Sequence, residues 1–197
     1  PLDHDGWLVH QVSFKPWAAC RHAHPAIDAA LALPPGALAG DGPILVETYS
    51  DALAFCDKPD PRTELEAKFS LQHALAVVAV RGEPGLTDFN DAARADPAIA
   101  AVRARVRVAA DPAIAARYPE HFGARVTAGG HVSEVQDALG DPERPMTPAQ
   151  FEAKARALIA YGGLGARDAD LAVDLALNLP DDDPGTELRQ LIERWLA

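Results

Sequence analysis

The chain has little cysteine and no long apolar run, and these two absences exclude several classes of protein. Its 197 residues contain two cysteines, Cys20 and Cys56, which are too few for a disulfide scaffold and are typical of a reducing compartment. No apolar stretch approaches the roughly 18 to 20 residues that a membrane-spanning helix needs. We therefore expect a cytoplasmic protein that has no membrane partner.

Basic residues are also scarce, with 18 Lys and Arg against 29 Asp and Glu and a formal net charge of −11. A surface of that sign repels phosphates, and no basic stripe interrupts it, so nucleic acid is not an expected partner. The hydrophobic share of 48% is sufficient for a real core, in one large domain or a domain with an appendage. Because the chain does not begin with Met, we expect a fragment or a processed form.

Acidic residues are absent from one stretch, the 22 residues from Gly6 through Ile27. This run contains Lys15, Cys20, Arg21 and three histidines, two of them at 22 and 24, and Pro25 marks the start of a predicted helix. The N-terminus of a helix directs free amides and the positive end of the helix dipole toward anions. The residues alone leave two interpretations open, which are an anion pocket and a strand-to-helix turn whose cations face water.

The remaining pattern predicts an α+β fold, an antiparallel sheet covered by helices, with additional C-terminal helices. Alternating residues predict strands over 7–15, 44–49 and 102–108, and a hairpin over 122–127 and 131–135. Helices are predicted at 25–33, 52–56, 87–95, 97–101, 148–161, 166–178 and 184–196. The most regular helix, over 63–80, begins with a capping box formed by Thr63 and Glu66.

Motifs for metals and nucleotides are missing. The run CRHAH at 20–24 has no second Cys/His cluster at zinc-like spacing, and Gly162–Gly165 lacks the following Lys-Ser/Thr of a phosphate loop. No metal site is therefore predicted. A Cys–His nucleophilic pair at Cys20 is a weaker alternative. His73 lies within the apolar stripe of the 63–80 helix, where a histidine is more often a core residue than a catalyst.

Three motifs resemble the MmgE/PrpD family. The first is FKPW at 14–17, followed by Cys20 and by HPAIDA at 24–29. The second is EAKFSLQHA at 66–74, and the third is GDPERPMT at 140–147, before a helix that carries Lys154. The three motifs occur in the family's order across most of the chain.

The resemblance implies a larger all-helical N-terminal domain, a smaller α+β lid domain, and a site between them. This chain matches the lid and the closing helices. We therefore expect residues 1–146 to form an α+β lid-like domain, and residues 147–197 to form C-terminal helices that pack on the lid or on a missing helical domain. Exposed apolar surface on those closing helices predicts self-association, as a homodimer.

Site residues follow from the same resemblance. Lys15 matches the lid lysine that faces the substrate, and His24 matches the histidine near the start of the following helix. His73 stands where several members have Tyr, which makes it a candidate for proton transfer despite its apolar surroundings. These three are the candidate catalytic residues, Lys15 for charge stabilisation and the histidines for proton transfer. The candidate substrate-binding residues are Cys20, Arg21, Lys68 and Ser70.

Family members resembling this chain include 2-methylcitrate dehydratase, cis-aconitate decarboxylase and an iminodisuccinate epimerase, which act on small di- or tricarboxylates without a metal or organic cofactor. At two positions this chain differs from the residues that are common in the family. Cys20 replaces a histidine of decarboxylase-like members, which argues against decarboxylation. Leu139 replaces an arginine that is common before the GDP motif, so an anion contact is lost there.

The main prediction is the C-terminal portion of a cofactor-independent lyase of propionate catabolism, similar to 2-methylcitrate dehydratase. It would remove water after proton abstraction alpha to a carboxylate, and it would be inactive without the N-terminal helical domain. Four alternatives remain open. They are a family isomerase or epimerase, a decarboxylase, a stand-alone module that binds a carboxylate or a protein without chemistry, and an intact fold whose site has decayed.

Overall fold

Four strands form one mixed sheet in a computed structural model that describes residues 11–178 and 185–196. The strands are β1 (Ile44–Thr48), β2 (Val106–Ala110), β3 (Ala124–Ala128) and β4 (His131–Val135), in the spatial order β2-β1-β3-β4. β1 is parallel to β2 and antiparallel to β3, and β3 is antiparallel to β4. The α+β prediction is confirmed, although one of the three pairings is parallel.

Two predicted strands differ from the observed ones. Residues 12–15 have no regular structure, so the described part of the predicted strand 7–15 is wrong, and residues 7–10 lie outside the described residues. Phe14 donates its amide to the carbonyl of Gly140 and not to a strand ladder. The predicted strand 102–108 begins too early, because Val102 reaches the core from the end of a helix.

The predicted hairpin is confirmed, and its turn follows from local sequence. Gly129 and Gly130 have φ angles of +57° and +79°, the left-handed region that a two-residue hairpin turn requires. A Cβ on Gly129 would also lie 2.7 Å from the carbonyl oxygen of Ala37. The inward residues of β3, of which Val126 is the central one, are fully buried.

The chain divides into two compact units, Pro1–Met146 and Thr147–Ala197. The described part of the first unit contains the sheet and seven α-helices. The helices are α1 (His24–Leu31), α2 (Ser50–Cys56), α3 (Glu64–Lys68), α4 (Leu71–Arg81), α5 (Asp91–Ala95), α6 (Pro97–Arg103) and α7 (Pro112–Ala115). A short 3-10 turn over Arg21–Ala23 leads into α1.

The core lies between one face of the sheet and helices α1 and α4. α1 contacts β3 and β4, α4 contacts β2, and the two helices contact each other. Ile27 of α1, Val46 of β1, Leu71 of α4 and Val126 of β3 are all buried in one cluster with Trp17. Burial of such side chains contributes about 1.5–3 kcal/mol each, so this layer supplies most of the stability of the unit.

The opposite face of the sheet carries an ion network. Arg125 lies between Glu47 and Glu134 in the strand register and contacts both carboxylates, at 3.3 and 2.8 Å, as well as Asp111 at 3.0 Å. These carboxylates raise the pKa of Arg125 above its ordinary value, with Glu134 making the largest contribution. Ion pairs between neighbouring strands therefore hold the Arg125 side chain on the polar face.

The predicted helix over 63–80 is interrupted at Phe69 and Ser70. Thr63 caps α3 by accepting the amide of Glu66 at 3.1 Å, but the Glu66 carboxylate bonds to Arg62 and does not complete the predicted capping box. Ser70 begins a second helix, because its Oγ accepts the amide of His73 at 3.0 Å. Its hydroxyl also donates to the carbonyl of Lys58 at 2.6 Å, a tertiary contact that holds the break in place.

The second unit contains α8 (Pro148–Tyr161), α9 (Ala166–Leu177) and α10 (Thr186–Leu196) in its described part. Thr147 and Gln150 form a capping box at the start of α8. Several large apolar side chains of this unit are exposed, which agrees with the predicted apolar surface. These side chains are Leu158, Tyr161, Leu171, Leu177, Ile192 and Leu196.

Candidate functional site

The three family-like motifs meet at the segment 14–21. The amide of Phe14 donates to Gly140 at 2.8 Å, which joins the first motif to the third. The amide of Cys20 donates to the carbonyl of Lys68 at 2.7 Å, which joins the first motif to the second. Segments far apart in sequence are thus brought together around Lys15.

An open cleft of about 280 Å³ lies at this junction. Three of the predicted site residues line it, Lys15, Cys20 and Lys68. The remaining lining residues are Trp17, Ala18, Ala19 and Phe69. Among the described residues that line the cleft, two are cationic and none is acidic, in a chain whose net charge is −11. The cleft is therefore a local region that attracts anions.

Lys68 forms an ion pair within α3. Its Nζ contacts the Glu64 carboxylate at 2.7 Å, one helical turn away on α3, and its side chain is 35% exposed. A pair between side chains this exposed contributes little stability and is readily exchanged for another anion. Lys15 is exposed and precedes the buried Trp17, whose indole N–H donates to Glu83 at 3.2 Å.

Arg21 is engaged within the protein. Its guanidinium donates from Nε and Nη2 to one oxygen of Asp141, at 3.1 and 2.5 Å, and its Cζ lies 3.6 Å from the centre of the Phe122 ring. Asp141 is only 3% exposed. The predicted substrate-binding residue Arg21 does not line the cleft. It connects the first motif to the GDP loop.

A second buried acid holds the same loop. Asp28 of α1 accepts the amide of Leu139 at 2.7 Å and contacts Arg144 at 3.1 Å. Burial raises the pKa of Asp28, and the Leu139 amide and Arg144 partly offset that rise. Gly140 has a φ of +95°, and a Cβ there would collide with the carbonyl oxygen of Phe14. The loop is therefore tied to the segment that carries Lys15.

His24 lies behind the cleft wall and is 1% exposed. Its ring is 5.2 Å from that of Trp17, and its Nε2 lies 3.3 Å from the carbonyl oxygen of Ala19, two residues that line the cleft. Burial lowers the pKa of His24 to about 4. The neutral ring donates to the carbonyl of Ala19 and so contacts the backbone of the cleft wall.

The amides at the start of α1 bear on the anion-pocket interpretation, one of the two that the sequence left open. The helix begins one residue before Pro25, and the 3-10 turn precedes it. The amide of Ala23 donates to Cys20 and the amide of His24 donates to Arg21, and residues His24, Pro25 and Ala26 are buried. These amides are consequently directed into the protein and not toward an anion in the cleft.

Cys20 is paired with Cys56, the last residue of α2. Both cysteines are buried and belong to one cluster. The S–H of Cys56 donates to Cys20, which lowers the pKa of Cys20, and Lys15 assists against the opposing effect of burial. The same bond, together with burial, raises the pKa of Cys56. The sequence reasoning missed Cys56 as a site neighbour, although it is the chain's only other cysteine.

His73 and Ser70 lie in the core and do not line the cleft. His73 is fully buried, its Nε2 donates to the carbonyl of Asp88 at 2.8 Å, and its ring packs against Phe89. Burial lowers the pKa of His73. Its Nδ1 has no hydrogen-bond partner. Ser70 is occupied as the cap of α4.

An aromatic cluster beside the Arg21–Ala23 turn was not predicted. His22 donates to or accepts from the hydroxyl of the buried Tyr49 at 2.8 Å and stacks on Phe55. Tyr118 stacks on Tyr49, and Phe122 meets both of them edge-on. Burial lowers the pKa of His22, Asp51 partly offsets this effect, and Arg21 adds to it. The cluster anchors the turn that follows Cys20.

Two kinds of feature, a metal-binding group and a membrane-spanning helix, are absent from the described residues. Across residues 11–178 and 185–196, no three His, Cys, Asp or Glu side chains are grouped so that they could hold a metal ion. Within the same part of the chain, every helix is too short or too polar to cross a bilayer.

Comparison with known proteins gives one family finding. The family model described as MmgE/PrpD C-terminal domain matches residues 17–179, well over half of the chain. The matched region includes six of the seven predicted site residues and begins two residues after Lys15. A search of curated proteins found no match.

Proposed function

Since the chain belongs to the MmgE/PrpD family and carries its C-terminal domain, we propose that it is the C-terminal portion of a cofactor-independent lyase. The substrate class is a small di- or tricarboxylate, and the reaction is loss of water, as in 2-methylcitrate dehydratase. The family match concerns one domain, so the substrate and the reaction are proposals.

The contacts among the three motifs, two of which line the cleft, carry this proposal. Hydrogen bonds from Phe14 to Gly140 and from Cys20 to Lys68 connect the three motifs in space. These motifs are far apart in sequence, and each resembles the same family. The first two motifs supply the lining of the cleft, which contains two lysines and, among its described residues, no acid. A small polycarboxylate fits that charge, whereas a cationic ligand does not.

Lys15 is the residue best placed to assist the chemistry. Removal of a proton alpha to a carboxylate places negative charge on the carboxylate oxygens in the transition state. A cation beside those oxygens lowers the barrier, because it interacts more strongly as the charge develops. Lys68 binds a second carboxylate in this proposal. The resemblance assigns further catalytic groups to an N-terminal helical domain.

The histidines receive different roles from those first expected. His24 supports the cleft wall through Ala19, and its lowered pKa keeps it neutral at physiological pH. His73, a residue of α4, is fully buried and packs against Phe89, which favours the core interpretation over proton transfer. We therefore expect both residues to influence stability more than substrate contact.

Isothermal titration with 2-methylcitrate, citrate and cis-aconitate tests the proposal. We expect the chain to bind at least one of them, and Lys15→Ala to weaken binding by about tenfold or more, because a charge-assisted hydrogen bond contributes about 1.5–3 kcal/mol. Lys58→Ala is the matched control, since it removes the same charge from the same unit but does not line the cleft. We expect its affinity to equal that of the wild type.

Three results would contradict the proposal in different ways. Equal weakening by Lys15→Ala and Lys58→Ala would show that only net charge matters. Binding unaffected by Lys15→Ala would place the anion elsewhere. Absence of any heat from the wild-type chain would contradict a cleft that recognises carboxylates without another domain.

A further inference from the structure

We propose that Cys20 and Cys56 form a reversible oxidation site, in which a hydroperoxide oxidises Cys20 and Cys56 then closes a disulfide. The two cysteines belong to one buried cluster, and α2, which ends at Cys56, contacts the 3-10 turn that begins directly after Cys20. They are also the only cysteines of the chain, so no other intrachain disulfide can form. This inference does not depend on which ligand the cleft binds.

The two cysteines differ in access. Cys20 lines the cleft and is 9% exposed, so a small peroxide can reach its sulfur from that side. Cys56 is fully buried behind it, at the end of α2, and α2 contacts the turn that follows Cys20. In a two-cysteine sensor, the more accessible thiol is oxidised first, and a neighbouring thiol then forms a disulfide with it. Cys20 and Cys56 have this arrangement.

The electrostatics assign the same order. Cys56 donates its hydrogen bond to Cys20, and Lys15 adds positive charge near the same sulfur. Both effects favour the thiolate of Cys20, the form that attacks a peroxide. Cys56 remains a protonated thiol because its hydrogen bond and its burial disfavour ionisation.

The chemistry balances in two steps. The Cys20 thiolate attacks one oxygen of the hydroperoxide, the O–O bond breaks, and the products are a sulfenic acid and hydroxide or alkoxide. Cys56 then attacks the sulfenic sulfur, loses its proton, and expels hydroxide, so that one disulfide and one water form. The peroxide supplies the oxidising equivalents. Oxidation removes the thiolate charge beside Lys15 and thereby alters the charge of the cleft.

Intact-mass analysis of the full chain tests this proposal. The wild-type protein is exposed to a stoichiometric amount of hydrogen peroxide near neutral pH, then unfolded and alkylated with a maleimide. We expect the loss of two hydrogens per chain, protection of both thiols from alkylation, and full reversal by dithiothreitol. Peptide mapping separates this change from oxygen added at Met146, the chain's only methionine.

Two variants distinguish the roles of the thiols. In Cys56→Ser the sulfenic acid cannot be resolved, so dimedone should trap it on Cys20. In Cys20→Ser the remaining Cys56 should react about tenfold more slowly than Cys20 does in the wild type, because the thiolate is the nucleophile. Circular dichroism confirms that each variant is folded, and the wild-type experiment is valid even where a variant is not.

Several outcomes would overturn the proposal. They are two free thiols after peroxide treatment, addition of oxygen to wild-type Cys20 without loss of hydrogens, a disulfide between two chains on a non-reducing gel, and equal reactivity of Cys56 in Cys20→Ser.

Discussion

Burial changes what individual side chains can do, and His24 is the clearest case at the residue scale. A histidine beside a lysine and a cysteine, in a stretch without acids, is a reasonable candidate for proton transfer. In the fold its ring is enclosed by Trp17 and its Nε2 is directed at Ala19. Desolvation disfavours the imidazolium, which lowers the pKa of His24 to about 4. The residue is therefore a neutral donor that supports the cleft wall.

This lowered pKa predicts a pH dependence of stability. Between pH 6.5 and 4 the unfolded chain binds a proton at residue 24 that the folded chain does not bind, so the free energy of unfolding falls as the pH falls. We expect wild-type protein to lose about 2 kcal/mol more than His24→Gln between pH 7 and pH 5. Urea unfolding at the two pH values measures the difference.

The exposed His131 supplies the control for this prediction. His131→Gln also removes one histidine but leaves the buried surroundings of residue 24 intact, so the pH dependence attributed to His24 should persist in this variant. A wild-type pH dependence identical to that of His24→Gln would contradict the buried, neutral state of His24.

At the scale of secondary-structure elements, the break between α3 and α4 decides the role of Ser70. The sequence pattern predicts one continuous helix, and a serine on its surface would be available to a ligand. In the fold the Ser70 hydroxyl caps α4 and bonds to Lys58, so both its donor and an acceptor position are used. The break also aims the carbonyl of Lys68 at the amide of Cys20. The element boundary therefore positions the cleft.

Ser70→Ala should therefore reduce stability and leave carboxylate affinity unchanged. The variant loses a helix cap and leaves a carbonyl without its partner, which costs about 2–3 kcal/mol of unfolding free energy. Thr63→Ala, which removes the exposed cap of α3, should cost only about 1 kcal/mol. Denaturant unfolding and calorimetric titration provide the two measurements. Weaker ligand binding at unchanged stability would restore Ser70 as a substrate-binding residue.

At the scale of the whole molecule, the two compact units differ in how they use apolar residues. Each buried hydrophobic cluster found in the described residues lies in the first unit, between Trp17 and Val135. In the second unit α8 has no buried residue, and Leu177 and Leu196 are 61% and 82% exposed. Exposed apolar side chains that form a patch mark an interaction site. We therefore expect the predicted homodimer to form through the second unit.

Truncation after Met146 tests this distribution. We expect residues 1–146 to unfold cooperatively and to remain monomeric, because they retain all three clusters and lose the exposed apolar helices. The full chain should self-associate in sedimentation velocity as its concentration rises. Equal self-association of the truncated chain would assign the contact to the first unit, and failure of the truncated chain to fold would contradict its independence.

Local interactions made much of this protein predictable from sequence. The glycines at 129 and 130 dictate the hairpin turn, and the capping box of Thr147 starts α8 at the predicted residue. Both features depend on neighbours within a few residues, so no knowledge of the fold is required. The motifs at 14–29, 66–74 and 140–147 likewise indicated the family that the comparison found. Periodicity also sufficed for the α+β class.

Contacts between distant segments determined the composition of the cleft and the burial of the candidate site residues. The meeting of Phe14 with Gly140, and of Cys20 with Lys68 and Cys56, depends on hydrogen bonds that local pattern does not encode. The position of His73 in the core likewise depends on packing, because α4 directs its whole first half inward. The sequence by itself determined the elements and the family, since propensity, capping and motif order are properties of short segments. Only the tertiary structure decided which cations line the cleft, because burial and charge are set by residues far apart in the chain.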